Sequence, residues 1–197
     1  MTVRVHIWSD YVCPFCLIVD ELVARVAAGR PDVEIAHHAH ELRPYPARTL
    51  RPEDTYLPRV WQSTVLPMAR RLDVPMRLPT VSPQPYTELA FRGFRYAADR
   101  GAGAAYHRRM LTAFFRDDLD IGDRDVLTRL AADVGLDPAD YAAALDDPEY
   151  ARRHREALAD AARRDITVVP TLVVGDRRLE GVVTESALRG ALDEAAT

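Results

Sequence analysis

Lysine is missing from this sequence: all 26 residues in the Lys and Arg count are Arg. We read the lack as a compositional bias toward Ala and Arg that says little about function. Cysteine is nearly as scarce. The two present sit three apart in Cys13-Pro14-Phe15-Cys16, too few for a disulfide framework and enough for one local bond. No window approaches the ~18 apolar residues a membrane helix needs. The first residues, Met-Thr-Val-Arg-Val-His-Ile-Trp, lack the basic stretch and apolar run of a secretory signal. The expectation is a cytoplasmic protein with no membrane partner, in a compartment where a disulfide is more often catalytic than structural. There is no excess of positive charge either. The net charge is -4, which gives no reason to expect nucleic acid as a partner.

Apolar residues are plentiful. They make up 48% of 197 residues, enough to bury the core of one domain carrying an insertion. Residues 3–8 alternate apolar and polar as a strand does. From Cys13 the period turns helical through Ile18, Leu22 and Val26, ending at Gly29 and Pro31. Residues 33–40 read as a second strand. A right-handed crossover through the helix makes the two strands parallel, with the cysteines at the first strand-to-helix junction. Residues 43–85 are rich in Pro, with short helices around 56–73. Residues 86–164 read as successive helices. Asp137-Pro138 and Asp147-Pro148 open two of them with a cap followed by Pro. The tail returns to strands over 168–174 and 177–180, joined by a turn at Gly175-Asp176. A last helix follows from Thr184 as N-cap. The order β-α-β, helical block, β-β-α defines an α/β chain.

Chemistry concentrates at the cysteines. A thiolate, not a thiol, attacks a disulfide. A Cys at a helix N-terminus faces unpaired N–H groups and the positive end of the dipole, and both favour the anion. Cys13 is therefore the expected nucleophile and Cys16, one turn on, the resolving thiol. Pro14 costs nothing in a first turn, where its missing N–H would have no partner anyway. Two other readings stand beside this one. The pair could be inert, or it could bind zinc with two of His37, His38 and His40, the first of which points to the opposite strand face from the others. Asp10 and His6 are candidates to accept the Cys16 proton, although a loop cap and a strand-face residue are the more ordinary readings. A second element is Val169-Pro170, inside an apolar run where Pro cannot donate to a ladder. A bend is expected there, with a cis bond as one form of it, which would free the Val169 backbone for an extended substrate.

These residues resemble the DsbA family of the thioredoxin superfamily, and within it the FrnE-like group. Residues Trp8 to Cys16 are similar to that group's redox segment, Glu41-Leu42-Arg43-Pro44 to its motif after the second strand, Asp120-Ile121-Gly122-Asp123 to part of its helical insertion, and Ile166 to Val174 to its cis-proline segment. The resemblance implies a thioredoxin-like domain over 1–45 and 160–197, interrupted by a helical domain over 46–159. It implies dithiol–disulfide exchange on protein or small-thiol substrates, with glutathione as a co-substrate option and no metal or organic cofactor, in a monomer or homodimer. Carried over by position, Cys13 attacks, Cys16 resolves and Pro170 is the cis-proline. Val169, Pro14 and Phe15 lie against the substrate. Phe15 departs from DsbA itself, where a His stands between the cysteines. Phe donates no hydrogen bond, so a less oxidising couple is expected.

Two further functions compete. A glutathione-dependent isomerase or transferase, of the hydroxychromene-carboxylate isomerase or kappa class, shares the architecture but has no use for Cys16. A peptide-binding module without turnover could use Trp61, Tyr86, Phe91 and Phe94, which read more simply as helix-packing core.

Overall fold

The computed structural model describes residues 2–197. Strand β1 (Val3–Ser9) leads through a short loop into α1 (Pro14–Ala27), and β2 (Val33–Ala39) follows. Cys13 is the N-cap of α1 in extended conformation and Pro14 stands in the first turn, where its fixed φ suits the helix. β1 and β2 pair in parallel, Val3 opposite Val33 through Ser9 opposite Ala39, so both strands end together beside the cysteines.

The chain then leaves the sheet. α2 (Tyr56–Val60) runs through a π turn at Trp61–Val65 into α3 (Leu66–Arg71). Next come α4 (Glu88–Asp99), α5 (Gly103–Phe115), α6 (Arg124–Asp133), α7 (Pro138–Asp146) and α8 (Pro148–Arg163). Asp123, Asp137 and Asp147 cap the last three by accepting N–H groups of the first turn. The block is locked where Gly93 of α4 meets the hydroxyls of Tyr106 and Tyr141, themselves paired at 2.5 Å. A Cβ at 93 would collide with both.

β3 (Thr171–Val174) and β4 (Arg177–Glu180) form a hairpin, and α9 (Glu185–Ala195) follows, with the Thr184 hydroxyl accepting from the Ala187 N–H. The strand expected over 168–174 begins only at Thr171. Pro170 has no N–H to give a ladder, so residues 168–170 form a bend rather than strand. The sheet order is β2-β1-β3-β4, with β3 antiparallel to β1.

One sheet face carries Val3, Val5, Ile7, Leu172 and Val174, covered by Val19, Leu22, Val23 and Val26 of α1 and by Leu188, Ala191 and Leu192 of α9. A larger cluster joins Trp8, Tyr11, Cys13, Cys16, Leu17 and Ile18 to Phe91, Phe114, Phe115 and Leu127 of the helical block. The redox loop thus lies inside packed apolar structure that it shares with the block. No helix of the described residues is long and apolar enough to cross a membrane.

Candidate active site

The site is built where β1 ends and α1 begins. The Cys13 N–H donates to the Asp10 carbonyl at 3.1 Å and the Cys16 N–H to the Cys13 carbonyl at 3.0 Å. These two bonds turn the loop into the helix and set the cysteines one turn apart. Both are thiols and both are buried, at 4% and 2% exposure. The Cys13 thiol caps no helical N–H. It lies 3.7 Å from the Val169 carbonyl.

Val169-Pro170 is a cis peptide bond and both residues are buried. The Pro170 carbonyl accepts from the Gly181 N–H at 2.8 Å and the Thr171 hydroxyl donates to the Val168 carbonyl at 2.6 Å, which fixes the bend. The Val169 backbone is only half as expected: its carbonyl faces Cys13, while its N–H meets no acceptor among the described residues. Phe15 is half-buried against the larger core, beside the half-buried Pro14.

Asp10 is the residue the sequence undervalued. It is 1% exposed. One carboxylate oxygen, Oδ2, accepts from the Leu42 N–H at 2.7 Å, whereas the buried Oδ1 has no hydrogen-bond partner. Burial pushes its pKa up to about 6, against the opposing pull of the Leu42 N–H and Thr87, with the nearby Glu41 charge adding to the rise. Burial most of all raises the Cys16 pKa; the Asp10 backbone pulls the other way, while the Asp10 charge adds to the rise. With the adjacent Cys13, burial and that charge hold the Cys16 thiol well above the usual range. A cavity of about 10 Å³ beside Asp10, Val12 and Thr87 has room for one water molecule.

The Glu41-Leu42-Arg43-Pro44 motif explains how the loop is held. While Leu42 binds Asp10, the buried Glu41 carboxylate meets His154 Nε2 of α8 at 2.5 Å. The His154 ring stacks on Phe91 at 5.6 Å, and Phe91 stacks on Tyr11 of the redox loop at 4.4 Å. His154 carried no signal in the sequence. Glu41 was marked only by the resemblance of Glu41-Leu42-Arg43-Pro44 to the motif after the second strand.

Of the histidines proposed as zinc partners of the cysteines, His40 follows β2 with its N–H on the Ser9 carbonyl, and His37 and His38 are engaged with other groups. His38 receives or gives a hydrogen bond at 2.9 Å to His6 and stacks on Trp8 at 4.5 Å. His6 is therefore occupied on the strand face, away from a role at Cys16. His37 stacks on His107 of α5 at 3.9 Å, and His107 Nε2 lies 3.4 Å from Asp20 of α1. His37, His107 and Asp20 form the one grouping of potential metal ligands among the described residues, within 4.8 Å of one another, and it includes neither cysteine. Trp61, Phe91 and Phe94 are buried core, while Tyr86 lines a cleft.

The chain is 41% identical over 196 residues to the uncharacterized protein YwbO of Bacillus subtilis (strain 168), covering 98% of each. Its fold matches the crystal structure of a probable DsbA oxidoreductase, SCO1869, from Streptomyces coelicolor. The TM-score is 0.81 at 24% identity, covering 98% of this chain and 90% of that one. It also matches 2-hydroxychromene-2-carboxylate isomerase, with a TM-score of 0.79 at 16% identity over 98% and 96% of the two chains. A family model described as a DSBA-like thioredoxin domain matches residues 4–193. With a βαβ unit that starts α1 at Cys13, a cis-proline bend beside that cysteine and a helical block between β2 and β3, the chain belongs to the DSBA-like thioredoxin domain family.

Proposed function

We propose that the protein is a thiol–disulfide oxidoreductase acting through Cys13 and Cys16. The observation that carries this reading is the placement of Cys13 as N-cap of α1, its sulfur against the Val169 carbonyl, with Cys16 one turn below it. In the reducing direction the Cys13 thiolate attacks one sulfur of a substrate disulfide. A mixed disulfide forms, the substrate S–S bond breaks, and the second substrate sulfur leaves as a thiolate. Cys16 gives its proton to Asp10 and attacks the Cys13 sulfur. The Cys13–Cys16 bond closes and the first substrate sulfur is released. Two electrons pass from the dithiol to the substrate, and oxidation is the reverse. The couple carries both electrons itself, so this chemistry calls for no bound metal or organic cofactor. The Val169 N–H is available to an extended substrate beside the reacting sulfur.

The second reading, a glutathione-dependent isomerase, is favoured by the likeness to 2-hydroxychromene-2-carboxylate isomerase. Cys16 counts against it, because activating glutathione has no use for a resolving thiol. One experiment separates the two. The protein is equilibrated in glutathione buffers, quenched in acid, alkylated and weighed intact. A reversible two-electron transition, lost when either cysteine is replaced, supports the oxidoreductase. A stable glutathione adduct on Cys13, with no internal disulfide, sinks it and leaves the isomerase.

A further inference from the structure

The redox pair leaves one sizeable cleft without a task. Its volume is about 560 Å³, and it lies between the loop around Tyr45, the segment from Ser82 to Leu89 and the turn at Asp120 to Asp123. Its walls carry Glu88, Asp120 and Asp123 and no Arg or His. Arg92 neutralises Glu88, so the uncompensated charge on the walls is that of Asp120 and Asp123. The three carboxylates have structural duties that use one oxygen each. Glu88 Oε1 accepts from Arg92 at 2.6 Å, Asp120 Oδ1 from the Gly122 N–H at 2.8 Å, and Asp123 Oδ1 from the Val126 N–H at 2.9 Å. The second oxygen of each has no protein partner among the described residues.

Carboxylates alone would not make a site. Gln84 supplies the independent observation. It is 6% exposed, its backbone N–H is tied to the Leu50 carbonyl at 2.8 Å, and its side-chain amide bonds to no described residue. It lines this cleft and also the small cavity that reaches Asp10 and Val12, the residue before Cys13. Most of the Gln84 side chain is packed away, while its amide opens on the cleft, where a ligand can reach it. Its donor and acceptor together match one peptide unit. Above it stand Tyr45, 75% exposed, and Tyr86, in edge contact at 5.6 Å, two rings whose faces suit a guanidinium or ammonium.

We propose that this cleft receives an extended stretch of a polypeptide substrate that carries Arg or Lys beside its reacting cysteine, with the Gln84 amide paired to that stretch's backbone. The proposal rests on the oxidoreductase reading and names its substrate class. It disfavours glutathione in this cleft, since a net anionic tripeptide would face the Asp120 and Asp123 carboxylates.

The test is the exchange rate of the reduced full-length protein with peptide disulfides of one cysteine context, flanked by Arg, Gln or Glu. A neutral small disulfide, bis(2-hydroxyethyl) disulfide, reports chemistry at Cys13 without demanding the cleft. The Arg peptide is expected to react about 10-fold faster than the Glu peptide at low ionic strength. That ratio should fall to within about 2-fold at ~0.5 M salt. In the double variant Asp120→Asn, Asp123→Asn, which keeps an oxygen acceptor at both turns, the Arg-to-Glu ratio should collapse toward one. Equal rates for the three peptides in the unaltered protein, with the neutral disulfide reduced normally, overturn the cleft assignment and leave the oxidoreductase standing. Failure to reduce the neutral disulfide removes the oxidoreductase reading, and this proposal with it.

Discussion

The Leu42 N–H donates to Asp10 Oδ2 over 2.7 Å, and this bond ties the end of β2 to the loop that carries Cys13. Burial nonetheless raises the pKa of that carboxyl to about 6 against the pull of this bond. Because the folded value exceeds the ordinary one of 3.8, the folded protein binds the extra proton between those two pH values. This contribution therefore favours folding at low pH, declines as pH rises from about 4 to about 6, and is absent above that. Asp10→Asn keeps an acceptor for Leu42 and removes the buried charge. The reduced variant should be more stable than the parent at pH 7, by about 1–3 kcal/mol, and should lose this pH 4–6 component. Urea unfolding at pH 4, 5, 6 and 7 measures it. Resolution of a mixed disulfide on Cys13 should slow by about 10- to 100-fold, since the proton acceptor for Cys16 is gone. A variant that resolves as fast as the parent excludes Asp10 from that role.

Cys16→Ala should trap the substrate. With no second thiol to attack Cys13, a peptide or glutathione adduct persists and appears as one added mass. Cys13→Ala should instead be nearly unreactive to thiol reagents under native conditions, because burial holds the Cys16 thiol well above the usual range and keeps it protonated. Intact-mass measurement after brief alkylation distinguishes the two, and equal labelling of both variants would refute the assigned order of attack.

Phe15 offers no N–H to a thiolate. Phe15→His should stabilise the reduced form and move the couple to a more oxidising potential, by about 30 mV for each ~1.4 kcal/mol gained. The parent potential is expected between those of thioredoxin and DsbA, about -270 and -120 mV. Glutathione equilibrium gives both values, and a His variant that is less oxidising than the parent would contradict the argument.

Glu41 and His154 are both buried and meet only through each other on that side. His154→Ala leaves the carboxylate without its partner and should cost about 3–5 kcal/mol. Replacing both with Gln should recover part of the loss. If the single variant unfolds at the same urea concentration as the parent, the pair contributes nothing to holding the redox loop.

The parts of this molecule written in local pattern were legible. The alternation over residues 3–8, the helical period after Cys13, the Asp-Pro helix starts and the Thr184 cap each depend on residues a few positions apart, and each element formed. The spacing of Cys13 and Cys16 and the oddity of Pro170 inside an apolar run marked the candidate site in the same way. What stayed hidden depends on partners far along the chain. Asp10 reads as a loop cap until Leu42 and Thr87 enclose it. His37 reads as one of three neighbours on a strand until His107 and Asp20 arrive from two helices. Gln84, in a Pro-rich stretch with no period, gave no signal. The bend at Val169-Pro170 was legible from the Pro, but the strand start at 168 falls three residues early because apolar β-branched residues outweigh one Pro in a local count.

β1 is paired on both sides, to β2 over its whole length and to β3 from Val5 to Trp8. Its amides are therefore shielded by two ladders, and they should exchange with deuterium only when the molecule opens as a whole. The redox loop is attached directly to that strand. Helices far from the sheet can fray and reclose while Cys13 keeps its mooring, so the chemistry is anchored to the segment of the chain that melts last.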